Sequence, residues 1–107
     1  MDADRELLEL AAKAAGLYVE WQHGICYRCA SNSFEAVAWN PLESDADAFR
    51  LQCALGIDIG YGFDGDKVSC VLIDGEPTYV SDHGGDPCKA TREAIVRAAA
   101  EIGRNLT

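Results

Sequence analysis

Ser44-Asp45-Ala46-Asp47-Ala48-Phe49-Arg50-Leu51-Gln52-Cys53-Ala54-Leu55-Gly56-Ile57 holds a whole helix with both of its ends written into it. The Ser44 hydroxyl can accept from free N–H groups of the first turn, and Asp45 and Asp47 put negative charge at the positive end of the helix dipole. Ala46, Phe49 and Cys53 form an apolar row, widened by Leu51 and Leu55. Gly56 can adopt the left-handed conformation that stops a helix, and Ile57 stands where a Schellman cap needs an apolar contact with the last turn. Strands come next. Ile57 to Phe63 and Lys67 to Ile73 flank Asp64-Gly65, a pair able to take the positive φ angles of a tight hairpin turn, and Asp74-Gly75 offers a second such turn into Thr78 to Val80.

The same punctuation recurs on either side. From Asp2 or Ala3 to Ala15, the residues Leu7, Leu8, Ala11, Ala14 and Ala15 fall on one helical stripe, and Gly16-Leu17 closes it. Leu17 to Trp21 reads as a strand, Gln22 to Gly24 as a turn and Ile25 to Ala30 as the hairpin partner. Downstream, Asp86 caps a third helix with Pro87 at its first position, and Ala90, Ala94, Ile95, Ala98, Ala99 and Ile102 repeat at helical spacing before Gly103. Between Ser31 and Leu42, Phe34, Val37 and Trp39 either extend the sheet or pack as a loop, and Asn40-Pro41 breaks any regular element. No internal repeat is apparent. The order predicts an α+β fold, an antiparallel sheet of about five strands packed with three helices as αββαβββα, whose apolar sheet face the helices must cover.

A chain of 107 residues, 49% of them apolar, is the size of a single domain spanning 1–107 and has enough apolar material for a core without staples. The five cysteines, Cys26, Cys29, Cys53, Cys70 and Cys88, are an odd number, and no charged start followed by an apolar run reads as a secretion signal. Reduced thiols in a cytoplasm are expected. No apolar run approaches the ~20 residues that cross a bilayer.

The net charge of −9 is concentrated. From Glu35 to Asp86, eleven acids (Glu35, Glu43, Asp45, Asp47, Asp58, Asp64, Asp66, Asp74, Glu76, Asp82, Asp86) face only Arg50 and Lys67, while seven acids and seven bases balance in the flanks. Direct nucleic-acid binding is not expected, because phosphates require a basic footprint. The acidic middle is either a solvated surface that keeps the chain soluble or one that attracts a basic partner, including a partner that normally holds nucleic acid.

Other constellations have plain readings. His23, Cys26 and Cys29, spaced by three, could supply three zinc ligands, with Cys53, Cys70, His83 or Cys88 as the fourth. On a regular strand, however, Cys26 and Cys29 point to opposite faces, and only a knuckle turn would join them. A cysteine nucleophile with His23 or His83 as base rests on geometry that spacing does not show. Asp64-Gly65-Asp66 and Asp74-Gly75-Glu76 lack the spacing of a twelve-residue calcium loop and read as turns. His83-Gly84-Gly85-Asp86 leads into a helix whose free N–H groups could hold an anion, a place that Asp86 takes as cap. No catalytic residue, metal or cofactor is expected. Tyr61, Phe63 and Tyr79 alternate along strands within the acidic segment, and aromatic anchors ringed by charge are the composition of a protein-binding hot spot. The expected partner-binding set is therefore Asp58, Tyr61, Phe63, Asp64, Asp66, Asp74, Glu76 and Tyr79, against burial of the aromatics beneath helices.

Two stretches carry a resemblance: Trp39-Asn40-Pro41-Leu42 with Asp45-Ala46-Asp47-Ala48-Phe49-Arg50-Leu51 and Ala54-Leu55-Gly56-Ile57, and the final helix from Ala90 to Gly103. Together these resemble the phage ABA sandwich domain family, small phage and prophage proteins of the NinX-like kind. The likeness extends over about two-thirds of the chain. It implies a sheet between helical layers, a phage or prophage origin and residence in a bacterial host cytoplasm, and it assigns no catalytic residues; the cysteines lie outside its pattern. Two function classes arise as expectations. One is a binding protein acting on a host protein, such as an anti-CRISPR-type inhibitor whose acidic surface occupies a basic nucleic-acid-binding complex. The other is an accessory domain of phage metabolism or assembly, which could form a homodimer joined through its sheet.

Overall fold

The computed structural model describes residues 3–29, 36–61, 68–73, 76–82 and 86–106, the stretch 60–82 through its backbone. The elements run α1 (Ala3–Ala15), β1 (Tyr18–Gln22), β2 (Ile25–Cys29), β3 (Ala36–Ala38), α2 (Asp45–Leu55), β4 (Asp58–Tyr61), β5 (Val68–Ile73), β6 (Glu76–Asp82) and α3 (Pro87–Arg104). The fold is α+β with three helices, as expected. Its sheet differs: among the described residues there are six strands in two separate three-stranded antiparallel sheets, β1-β2-β3 and β4-β5-β6. The added strand is Ala36–Ala38, which pairs with β2 from Tyr27 opposite Ala38 to Cys29 opposite Ala36.

The helix ends obey their local chemistry. Gly16 (φ 73°) and Gly56 (φ 65°) are left-handed. The Leu17 N–H donates to Ala12 at 2.9 Å and the Ile57 N–H to Gln52 at 3.1 Å, the six-to-one bond of a Schellman cap. Ser44 accepts from the Asp47 N–H at 3.2 Å, and Asp86 from the Lys89 N–H at 3.0 Å. Between β1 and β2, His23 (φ 53°) and Gly24 (φ 79°) make the two-residue turn that matches strand twist.

The arrangement contains a repeat that the residues alone do not announce. A helix, a glycine cap and a three-stranded antiparallel sheet occur twice, and Gly16, Leu17 and Val19 of the first unit recur as Gly56, Ile57 and Ile59 of the second. Leu17, Ile57, Val19 and Ile59 all pack in or against the common core.

The third helix closes both units. It lies along α1, against α2 and across β5 and β6. Ala90, Ala94, Ile95, Val96, Ala98, Ala99 and Ala100 are all buried, so α3 is covered on more than one face, and its small side chains permit close neighbours. Gly103 is not the terminator expected of it. The helix continues to Arg104, with Asn105 as cap in right-handed conformation. A Cβ on Gly103 would stand 2.0 Å from the Leu10 carbonyl oxygen, so the glycine is there because α1 passes at that point. Ile102, expected inside, is 40% exposed.

A second correction concerns α2. Its buried side is Asp47, Ala48 and Leu51, and the expected row of Ala46, Phe49 and Cys53 faces solvent, Phe49 with 63% of its surface exposed. The helix is held in this rotation by two anchors. The Asn40 N–H donates to Asp47 Oδ2 at 2.9 Å, and Arg92 of α3 spans from the Leu42 carbonyl (2.9 Å) to Asp45 Oδ1 (2.6 Å). Among the described residues no helix is long and apolar enough to cross a membrane.

Candidate functional site

Most of the acidic segment maps onto the second unit, while Glu35 precedes β3 of the first, Glu43 precedes α2 and Asp86 caps α3. Asp58 opens β4 opposite Leu72 and is exposed. Tyr61 closes β4 opposite Ser69, and Glu76 opens β6 opposite Ile73. Phe63, Asp64 and Asp66 fall in the β4–β5 connection and Asp74 in the β5–β6 connection, all outside the described residues. The antiparallel register divides the expected set between the two ends of one sheet. Asp58, Glu76 and the connection that carries Asp74 belong to the end where β4 starts and β5 finishes; Tyr61, Asp82 and the connection that carries Asp64 and Asp66 belong to the other. Tyr79 is placed differently from the even alternation expected of it. Ser69 faces Ser81 but Val71 faces Thr78, so Cys70 stands opposite both Tyr79 and Val80 in a β-bulge. A bulge shifts the alternation of its strand by one residue and so turns the residues beyond it toward the other face.

Not every acid in the segment is available to a partner. Asp45 is paired with Arg92, Asp47 is buried at the start of α2, and Asp86 caps α3. These three carboxylates each have a partner or a place within the fold.

A groove of about 360 Å³ lies between α2 and α3, its wall formed by Phe49, Gln52, Cys88, Thr91 and Ile95. The exposed Phe49 gives it an apolar lip. Sequence reasoning missed it because Phe49 at helical spacing from Cys53 reads as core.

His83 lies outside the described residues, and His23, Cys26 and Cys29 separate. Cys26 faces Trp21 and is buried, whereas Cys29 faces Tyr18 three positions along a regular strand, so the two lie on opposite sides of the sheet. His23 occupies the hairpin turn. Among the described residues no group of three His, Cys, Asp or Glu side chains could hold a metal ion. Burial, with a smaller contribution from Glu9, pushes the Cys26 thiol up to about 11, so it stays protonated and unreactive at neutral pH. Glu20, next but one along β1, raises the exposed Tyr18 phenol. Iodoacetamide at pH 8 should therefore modify the exposed Cys53 and Cys88 rapidly and Cys26 only on unfolding. Peptide mass spectrometry over a time course reads this, and early labelling of Cys26 would contradict its burial.

Set beside known proteins, the chain matches no family model, no curated protein and no solved structure.

Proposed function

We propose that this chain is a phage- or prophage-type accessory protein that acts by binding a basic host protein through its acidic second unit. The observation that carries the reading is the division of charge between two units of the same architecture. From Asp45 to Asp82, the span of the second unit, eight acids meet two bases, a net charge of −6, whereas the first unit from Ala3 to Ala38 has five acids against three bases, a net charge of −2. Solubility alone asks for net charge but not for its segregation. Charge gathered on one half of a small protein steers association with an oppositely charged surface, and a nucleic-acid-handling host complex offers the most basic surface of that kind. The resemblance of Trp39 to Ile57 and of Ala90 to Gly103 to phage ABA sandwich proteins supports the same direction. In this reading an inhibitor of the anti-CRISPR type would occupy the channel meant for nucleic acid.

The two ends of the sheet can be tested separately. Asp74 and Glu76 as amides remove charge from one end, and Asp64 and Asp66 as amides from the other. The tagged chain and both variants are used to capture host lysate at low and high salt, and retained proteins are identified by mass spectrometry. A basic partner should elute with salt and be lost from one amide variant while the melting temperature is unchanged. Retention that ignores both salt and the substitutions would discard the electrostatic reading.

A second reading has its own observation. On the outward side of β1 and β2, Tyr18 and Ile25 are 59% and 47% exposed, beside half-buried Tyr27 and Cys29. With Glu20 and Gln22 exposed on the same face opposite Tyr27 and Ile25, this mixed aromatic and polar surface suits self-association, that is, a homodimeric accessory domain of phage metabolism or assembly. Light scattering on the purified chain decides between them, since a stable dimer with no captured partner favours the second.

A further inference from the structure

Arg28 sits in the central strand of the first sheet, opposite Val19 on one side and Val37 on the other. That row turns inward at its β1 end, where Val19 packs on the core and Cys26, two residues back along β2, is buried in it, while Val37 at the other end is exposed. Arg28 is half-buried, and among the described residues its guanidinium makes no hydrogen bond or ion pair. Every other described arginine has a partner: Arg5 has Glu9, Arg50 has Asp47, Arg92 has Asp45, Arg104 has Glu101, and Arg97 is also engaged. A cation drawn partly out of water without a counter-ion is costly, and a fold with nine excess negative charges has anions to spare for it.

Its side chain lines a cavity of about 170 Å³ between β2 and α2. Leu17, Trp39 and Leu51 supply apolar wall, and Arg50 and Asp47 the remaining charge. Asp47 is spoken for: one carboxylate oxygen accepts from the Asn40 N–H at 2.9 Å and the other lies 3.5 Å from Arg50. Two guanidinium groups and one carboxylate leave a single uncompensated positive charge, held at Arg28. The volume is below the roughly 300 Å³ at which drug-sized pockets begin, which suits a ligand of few heavy atoms.

We propose that this cavity binds a small monocarboxylate with a short apolar body, its carboxylate on Arg28 with Arg50 at the rim and its hydrocarbon against Trp39, Leu17 and Leu51. The planar guanidinium matches a carboxylate in two parallel hydrogen bonds. A dianion such as phosphate would overshoot the local charge and face Asp47. The carboxylate can come from a free short-chain acid or from the C-terminus of a peptide, and the site is independent of the acidic sheet invoked above.

The test is an NMR titration of the intact ¹⁵N-labelled chain with butyrate, butyramide and inorganic phosphate, following the Arg28 Nε and Trp39 indole signals. Butyrate should saturate both signals and bind at least roughly tenfold more tightly than butyramide or phosphate. Arg28→Gln should weaken butyrate at least roughly tenfold. Arg50→Gln, at a side chain 67% exposed, should weaken it less, and thermal unfolding of this variant checks that buried Asp47 is still held by the Asn40 N–H. A tripeptide ending in a free leucine carboxylate, measured beside its amide, separates the two sources: binding tighter than butyrate identifies a chain terminus, weaker binding a free acid. Equal affinity for butyrate and butyramide, preference for phosphate, or butyrate binding undiminished in both arginine variants would overturn the proposal.

Discussion

Gly103→Ala is expected to destabilise the protein by about 2 kcal/mol or more, roughly 10 °C in Tm, although the same change in an open helix would stabilise it by about 1 kcal/mol. The sign is what matters. An alanine Cβ would meet the Leu10 carbonyl oxygen at 2.0 Å and its carbon at 2.8 Å, and both are backbone atoms of α1 that no rotamer change can move. The helices would have to separate by about an ångström, loosening contacts along the whole α1–α3 seam, where Leu8, Ala11, Ala98 and Ala99 are buried. Thermal unfolding followed by circular dichroism measures the effect. An unchanged or raised Tm would mean that α1 does not pass so close.

Trp39→Ala should cost about 3–5 kcal/mol, a large part of the roughly 5–15 kcal/mol that holds a domain of this size. Trp39 is 3% exposed, its backbone N–H donates to the Cys26 carbonyl at 2.9 Å, and its ring shares a cavity wall with Leu51 of α2. Val37, two residues earlier, is 51% exposed, and Val37→Ala should stay within about 0.5 kcal/mol. Urea titrations of the two variants under the same conditions make the comparison. Similar midpoints would place Trp39 at the surface and remove one wall of the proposed carboxylate cavity.

The residues told the ends of the helices better than their faces. Ser44, Gly16, Gly56, Asp86 and Pro87 act through hydrogen bonds and dihedral preferences within a few residues, so their roles could be read directly, and each is where its chemistry puts it. Which side of α2 turns inward is settled by distant partners, Asn40 on Asp47 and Arg92 on Asp45, and the row of Ala46, Phe49 and Cys53 is as good a helical stripe as the one that is buried. Gly103 misleads for the same reason. A glycine near a helix end reads as a cap, and nothing nearby in the chain reveals that Leu10 lies against it. The third strand of the first sheet, Ala36–Ala38, is too short to carry a period, and although every strand pairs with its sequence neighbour, no local signal says that the two runs of strands stay in separate sheets. Of the candidate site, the concentration of acid is visible because charge needs no structure to be counted. Arg28 escapes notice because an arginine on a strand looks like the solvated half of an alternation, and only its register opposite Val19, on the face that holds the buried Cys26, turns it inward.

The pairing of α1 with α3 has a consequence for how the molecule is made. The Lys13 ammonium reaches the Leu106 carbonyl at 2.9 Å across 93 residues of sequence, and the main helix seam joins α1 to α3. On a ribosome, α1 emerges long before α3 exists, with Leu8 and Ala11 lacking the surface that buries them. The nascent chain must stay open, and exposed to chaperones, until α3 has cleared the exit tunnel. Joining residues so far apart in sequence also costs loop entropy before the seam repays it, which slows refolding.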